Sequence, residues 1–83
     1  MSKSVFTEKY TKFRRLLIQM RQANELTQVQ VAQKLQKPQS FVSKYERGER
    51  RLDVVEFLEV SKALGVSPHE LLRQLEHPTQ ENG

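Results

Sequence analysis

Residues 26–48 read LTQVQVAQKLQKPQSFVSKYERG, and the fold turns on this stretch. Thr27 and Gln30 have capping-box spacing: the hydroxyl meets an exposed amide, and the Gln side chain reaches back to the cap. Val31, Ala32 and Leu35 recur at helical spacing and form an inward face. Gln36-Lys37-Pro38 ends that helix, because the residue before a proline is pushed out of the helical region. A short helix then runs from about Gln39 to Arg47, with Pro38 in its first turn and Gly48 as a left-handed stop. The spacing therefore predicts two short helices joined by a tight turn.

The second of these helices has two unlike faces. At about 100° per residue, with Ser40 at zero, Ser43, Lys44 and Arg47 fall near 300°, 40° and 340°. Val42 and Tyr45 fall near 200° and 140°, on the opposite side, and Gln39 and Phe41 flank the two. A two-turn helix with an apolar back and a hydrogen-bonding front suits the DNA major groove, which admits one α-helix. Gln pairs with adenine in two bonds, Lys with guanine and Ser with several base edges, and a ring such as Phe41 touches a thymine methyl. Taken alone, the same pattern also describes an ordinary amphipathic surface helix.

Working outward, Phe6, Tyr10, Phe13, Leu17 and Met20 draw one apolar stripe down a first helix from about Thr7 to Ala23, broken by Asn24-Glu25. Downstream, Glu49-Arg50-Arg51-Leu52 is a charged loop. Asp53, with Glu56 three residues on, caps a fourth helix whose face is Val54, Phe57, Ser61 and Leu64, flanked by Leu58. Gly65 ends it, with Val66 folding back as the cap's hydrophobic contact. Ser67-Pro68-His69-Glu70 opens a fifth helix carrying Leu71, Leu72 and Leu75. The expectation is all-α: a compact five-helix domain over residues 7–76, with a flexible N-terminus at 1–6 and a polar, disordered tail at 77–83.

Composition narrows the function. At 83 residues the chain makes one small domain. It has no cysteine, which excludes a disulfide scaffold and a thiolate zinc site and suits a reducing cytosol. His69 and His77 are the only histidines, so no metal is expected. No apolar run approaches the ~20 residues that span a bilayer, and Met1-Ser2-Lys3-Ser4 lacks the apolar stretch of a signal peptide. A cytoplasmic protein with no membrane partner is expected. Residues 1–51 hold 12 Lys/Arg against 4 Asp/Glu, a net of +8; residues 52–83 hold 2 against 6, a net of −4. A basic front half reads as a surface for a polyanion. Glu25, Glu46 and the histidines show neither metal nor triad spacing, there is no Gly-rich phosphate loop, and no enzyme, cofactor or small-molecule ligand is expected. Glu46 is expected to cap its helix or to pair with Arg50, four residues on.

Residues 26–35 and 39–48, with the downstream Ala63-Leu64-Gly65-Val66-Ser67-Pro68-His69-Glu70-Leu71-Leu72, resemble the helix-turn-helix of the Cro and lambda-repressor type, the XRE family of bacterial and phage regulators. The resemblance covers roughly residues 10–75. It implies that Gln28, at the start of the second helix, holds a phosphate. It implies that Gln39, Ser40 and Lys44 reach base edges, that Ser43 contacts a base or a phosphate, and that Arg47 contacts the backbone. Ala32 matches the small residue where the two helices cross. Gln36 stands where the family usually carries Gly, and a Gln held left-handed costs about 1 kcal/mol. Lys37 and Pro38 replace the usual apolar residue and Ser cap.

Lys34, Lys37, Arg50 and Arg51 lie close in sequence to the reading helix, which makes them candidates for phosphate contact. Lys9, Lys12 and Arg21 read as solvated charge, with Arg14 or Arg15 a further candidate for the backbone. The implied function is a sequence-specific double-stranded DNA-binding regulator, a repressor acting as a homodimer on an inverted repeat. One short helix reads only a few base pairs, and a two-fold pair doubles the contact. Val66, Leu72 and Leu75 are the candidate dimer interface, with Leu71 equally suited to the core. The alternative is an antitoxin-like protein-interaction module with secondary DNA binding.

Overall fold

The computed structural model describes residues 7–77. Five helices follow one another: α1 (Glu8–Ala23), α2 (Gln28–Leu35), α3 (Gln39–Arg47), α4 (Val54–Leu64) and α5 (Pro68–Glu76). Four of them start on a side-chain cap. Thr7, Thr27, Asp53 and Ser67 each accept the amide three residues on, and Thr27–Gln30 and Asp53–Glu56 form complete capping boxes. α3 is the exception. Pro38 sits at the N-cap itself rather than inside the first turn, and it has no side chain to satisfy the exposed amides.

The helices end on left-handed residues where the chain must turn sharply. Gly48 and Gly65 close α3 and α4 at φ +83° and +77°. Val66 N–H then bonds the Ser61 carbonyl at 3.0 Å, the folded-back cap expected there. Two non-glycines do the same work. Gln36 stands at φ 58°, ψ 44°, and its turn closes through Lys37 N–H to the Ala32 carbonyl at 3.0 Å. Glu25 adopts φ 57° after α1, and Leu26 N–H bonds the Arg21 carbonyl at 3.0 Å. The break at Asn24-Glu25 was legible in the sequence; its left-handed geometry was not.

One core joins all five helices: Leu16 and Leu17 of α1, Val31 and Ala32 of α2, Val42 and Tyr45 of α3, Phe57, Val60 and Leu64 of α4, and Leu71 of α5. Fully burying an aliphatic or aromatic side chain of this kind stabilises by about 1.5–3 kcal/mol. α4 departs from its expected inward face. Val54 is 74% exposed and Val60 is fully buried, so the face runs Phe57, Val60, Ser61, Leu64. Ser61 is buried without penalty because its hydroxyl donates to the Phe57 carbonyl at 2.9 Å. Phe6 lies outside the described residues, as do 78–83. His77 is described: it is the C-cap of α5, and its carbonyl accepts from Lys12 Nζ at 2.5 Å. Among the described residues, no helix is long and apolar enough to cross a membrane.

Candidate nucleic-acid interface

α3 stands on the core by Val42 and Tyr45, which are 0% and 1% exposed. Burial pushes the Tyr45 hydroxyl far up, with Glu46 adding to the shift and Arg21 opposing it, so the phenol stays neutral and serves packing. The opposite face turns Gln39, Ser40, Lys44 and Arg47 to solvent, with Ser43 half-buried among them. Ser43 spends its hydroxyl proton on the Ser40 carbonyl at 3.3 Å, inside the helix.

The start of α3 is held by a chain of polar side chains. Gln39 Nε2 donates to Gln28 Oε1 at 3.2 Å, and Gln28 Nε2 donates to Glu46 Oε1 at 2.9 Å. Glu46 is 5% exposed and receives the Arg21 guanidinium, Nε to Oε2 at 2.7 Å and a second nitrogen to Oε1 at 3.2 Å. Arg21 also donates to the Leu26 carbonyl at 2.9 Å, which ties the chain to the loop between α1 and α2. Arg14 donates to the Glu46 backbone carbonyl at 2.6 Å, at the last turn of α3. It lies so close under Gly48 that a Cβ there would meet its Nε at 3.0 Å. Gly48 therefore suits this turn twice: its φ favours glycine, and a Cβ would force the Arg14 side chain to shift by a few tenths of an ångström.

Two sequence expectations change here. Glu46 pairs with Arg21, not Arg50. Pairing four residues on needs one continuous helix, and α3 has already ended before Arg50. Arg21, read as solvated, is a largely buried structural cation, 14% exposed. A signal for both was present. On the wheel Glu46 falls near 240°, beside Val42 rather than among the polar front. Arg14 and Arg21 sit three residues before and four after the buried Leu17, on the same face of α1.

The remaining cations divide by location. Arg47 is exposed and forked onto Glu49 at 2.9 and 3.1 Å. Arg50 is forked onto Glu56 at 2.7 and 2.9 Å. That fork, with the Asp53 amide, holds the Glu56 carboxyl down to about 2. Lys37 and Arg50 lie over the Phe41 ring, at 5.4 and 4.7 Å from its centre, and Phe41 meets Tyr45 edge-on at 5.7 Å. Phe41 is thus half-buried and carries two cations on its ring. Arg51 stacks on Tyr10 of α1 at 4.1 Å, in the wall of a groove away from the Gln28–Gln39 pair. The structure therefore gathers Gln28 and Gln39 at one end of α3, and Lys37, Phe41 and Arg50 in a second group.

The helix-turn-helix family model matches residues 17–71, two-thirds of the chain. An XRE-family-like protein from Pseudomonas syringae pv. tomato str. DC3000 is 46% identical, with a TM-score of 0.80 over 82% of this chain and 83% of that one. The chain belongs to the XRE-type helix-turn-helix family. The restriction-modification controller protein C.AhdI from Aeromonas hydrophila is similar at 32% identity and TM-score 0.71, covering 78% of this chain and 98% of the other. A point mutant of the restriction-modification controller protein C.Esp1396I shares the fold at TM-score 0.76 and 23% identity, over 83% and 90% of the two chains. No curated protein matches the chain. Proteins of this family are DNA-binding transcription regulators rather than enzymes, and α2–turn–α3 is the motif that gives the family its name.

Proposed function

We propose that this regulator acts as a homodimer on an inverted-repeat operator, laying α3 of each copy into the major groove and repressing transcription there. The observation that carries the reading is the division of α3: Val42 and Tyr45 sealed in the core, Gln39, Ser40 and Lys44 exposed on the other side with Ser43 half-buried among them, these four being the proposed base readers. A reading side chain is useful only if it is held in place, and Gln39 is held by Gln28. Gln28, Lys37, Arg47, Arg50 and Arg51 are the proposed phosphate contacts, which fix register and add affinity on any sequence. Such a protein works in a bacterial cytoplasm, on host or phage DNA. The two proteins named as restriction-modification controllers support a regulatory role for this chain also.

For self-association the proposed contacts are Val66, Leu72 and Leu75. Leu72 is 46% exposed, and Leu72 and Leu75 together line an apolar groove of about 360 Å3 that continues to the exposed Val54. Val66 is half-buried against the core and is not among the residues that line this groove. Selection from random duplexes tests the reading. A two-fold symmetric consensus with half-sites about one helical turn (~34 Å) apart is expected. Loss of sequence preference at physiological salt, or a monomer in sedimentation with and without the selected duplex, contradicts it.

A further inference from the structure

Glu49 stands where the electrostatics of a helix disfavour an acid. After Gly48 the chain folds back, and the Glu49 N–H reaches the Lys44 carbonyl at 2.9 Å. The carboxylate is thereby brought to the C-terminal end of α3, where the helix dipole places partial negative charge. What offsets this is Arg47. Its Nε donates to Glu49 Oε2 at 2.9 Å and a second nitrogen to Oε1 at 3.1 Å, a two-bond fork. The fork and its charge hold the Glu49 carboxyl below the usual carboxylate range, and the nearby Lys44 adds to the effect. The pair lies in solvent, its side chains 57% and 54% exposed, so it is not part of the core.

A carboxylate offers a guanidinium the same two-oxygen edge that a phosphate does. Resting on the DNA-binding reading above, we propose that Glu49 is a built-in stand-in for a DNA phosphate: it occupies the Arg47 fork in the free protein and must release it before Arg47 grips the backbone. The exchange lowers affinity for any duplex and leaves a larger share of binding to Gln39, Ser40, Ser43 and Lys44. Arg50 and Glu56 form a similar pair, but Glu56 also caps α4, so a change there disturbs the fold as well. Glu49 has no such second duty among the described contacts.

The test is a double-mutant cycle read by duplex binding over a salt series, on wild type, Glu49→Gln, Arg47→Ala and the double variant. Glu49→Gln is expected to tighten binding about two- to five-fold, the range spanned by an exposed ion pair. The slope of log K against log salt should stay the same in Glu49→Gln, because Arg47 meets its phosphate in both proteins, and should flatten by about 0.9, one phosphate's worth, in Arg47→Ala. In the Arg47→Ala background the gain should fall to less than half. An equal gain in both backgrounds overturns the proposal, because the acid would then act at long range and not through the fork. So does no gain in either background while the wild type binds. A wild type that ignores every duplex removes the DNA-binding reading itself, and this proposal with it.

Discussion

Around α3 one chemical unit appears in opposite settings. One Arg–Glu fork, Arg21 with Glu46 of the last turn, is buried, 14% and 5% exposed, and passes its order back through Gln28 to Gln39 at the start of the helix. Two others, Arg47–Glu49 and Arg50–Glu56, are forks of similar length, but one lies in solvent and the other at its edge. The lengths are alike; the consequences are not. A buried fork stripped of one partner leaves a charge with no water to take it. An exposed fork stripped of one partner is simply rehydrated, or taken up by a phosphate. The first kind builds the reading surface, and the second kind can be traded when a ligand arrives.

The largest expected effect breaks the buried member. Glu46→Gln should cost about 3–5 kcal/mol of folding stability, because Arg21 remains charged and enclosed. Urea denaturation measures it, and a cost within that of an ordinary surface substitution would place Glu46 with the exposed pairs. Next comes the relay. Gln28→Leu removes both of its hydrogen bonds and should cost about 0.5–1.5 kcal/mol of binding to the selected duplex, with preference relaxed at the base that Gln39 meets. An unchanged preference at that base would mean that Gln39 needs no support.

The exposed side is where protons should act. Glu56 is held down to about 2 chiefly by its bonds from Arg50, then from the Asp53 amide, so the unfolded chain takes up a proton first. The stability that Glu56 contributes is complete above its ordinary value near 4.5 and is lost as pH falls from there toward 2. Denaturation across that window should show a slope that is shallower in Glu56→Gln, which keeps a capping side chain but gives up the charge. The smallest effect is at the turn. Gln36→Gly should raise stability by a few tenths to about 1 kcal/mol, since relief of the left-handed strain is partly offset by the freedom glycine gains when unfolded.

How much of this was legible in the sequence follows the same division. The helix boundaries could be read because they rest on local chemistry: Thr27 with Gln30, Asp53 with Glu56, Ser67-Pro68, and glycines at 48 and 65 all fall where the chain turns. The outward face of α3 could be read from periodicity alone, because Val42 and Tyr45 fix its back. For the buried fork the wheel turns Glu46 and Arg21 inward but does not pair them, because they are 25 residues apart and their meeting depends on how α1 crosses α3. A charged residue also reads as solvated until packing shows otherwise. Val54 and Val60 exchanged places for a related reason: α4 rotates to suit its neighbours, and a single stripe of apolar residues leaves that rotation open by one position.

Lys44 offers the most direct measurement of the central claim, that the exposed front of α3 reads bases. Binding profiles over every single-base variant of the selected duplex should show Lys44→Ala losing about 1–3 kcal/mol on the best site and its preference at one base position, with the other positions unchanged. A profile that keeps its full preference, with affinity lowered evenly on every duplex, would make Lys44 a backbone contact and contradict the account.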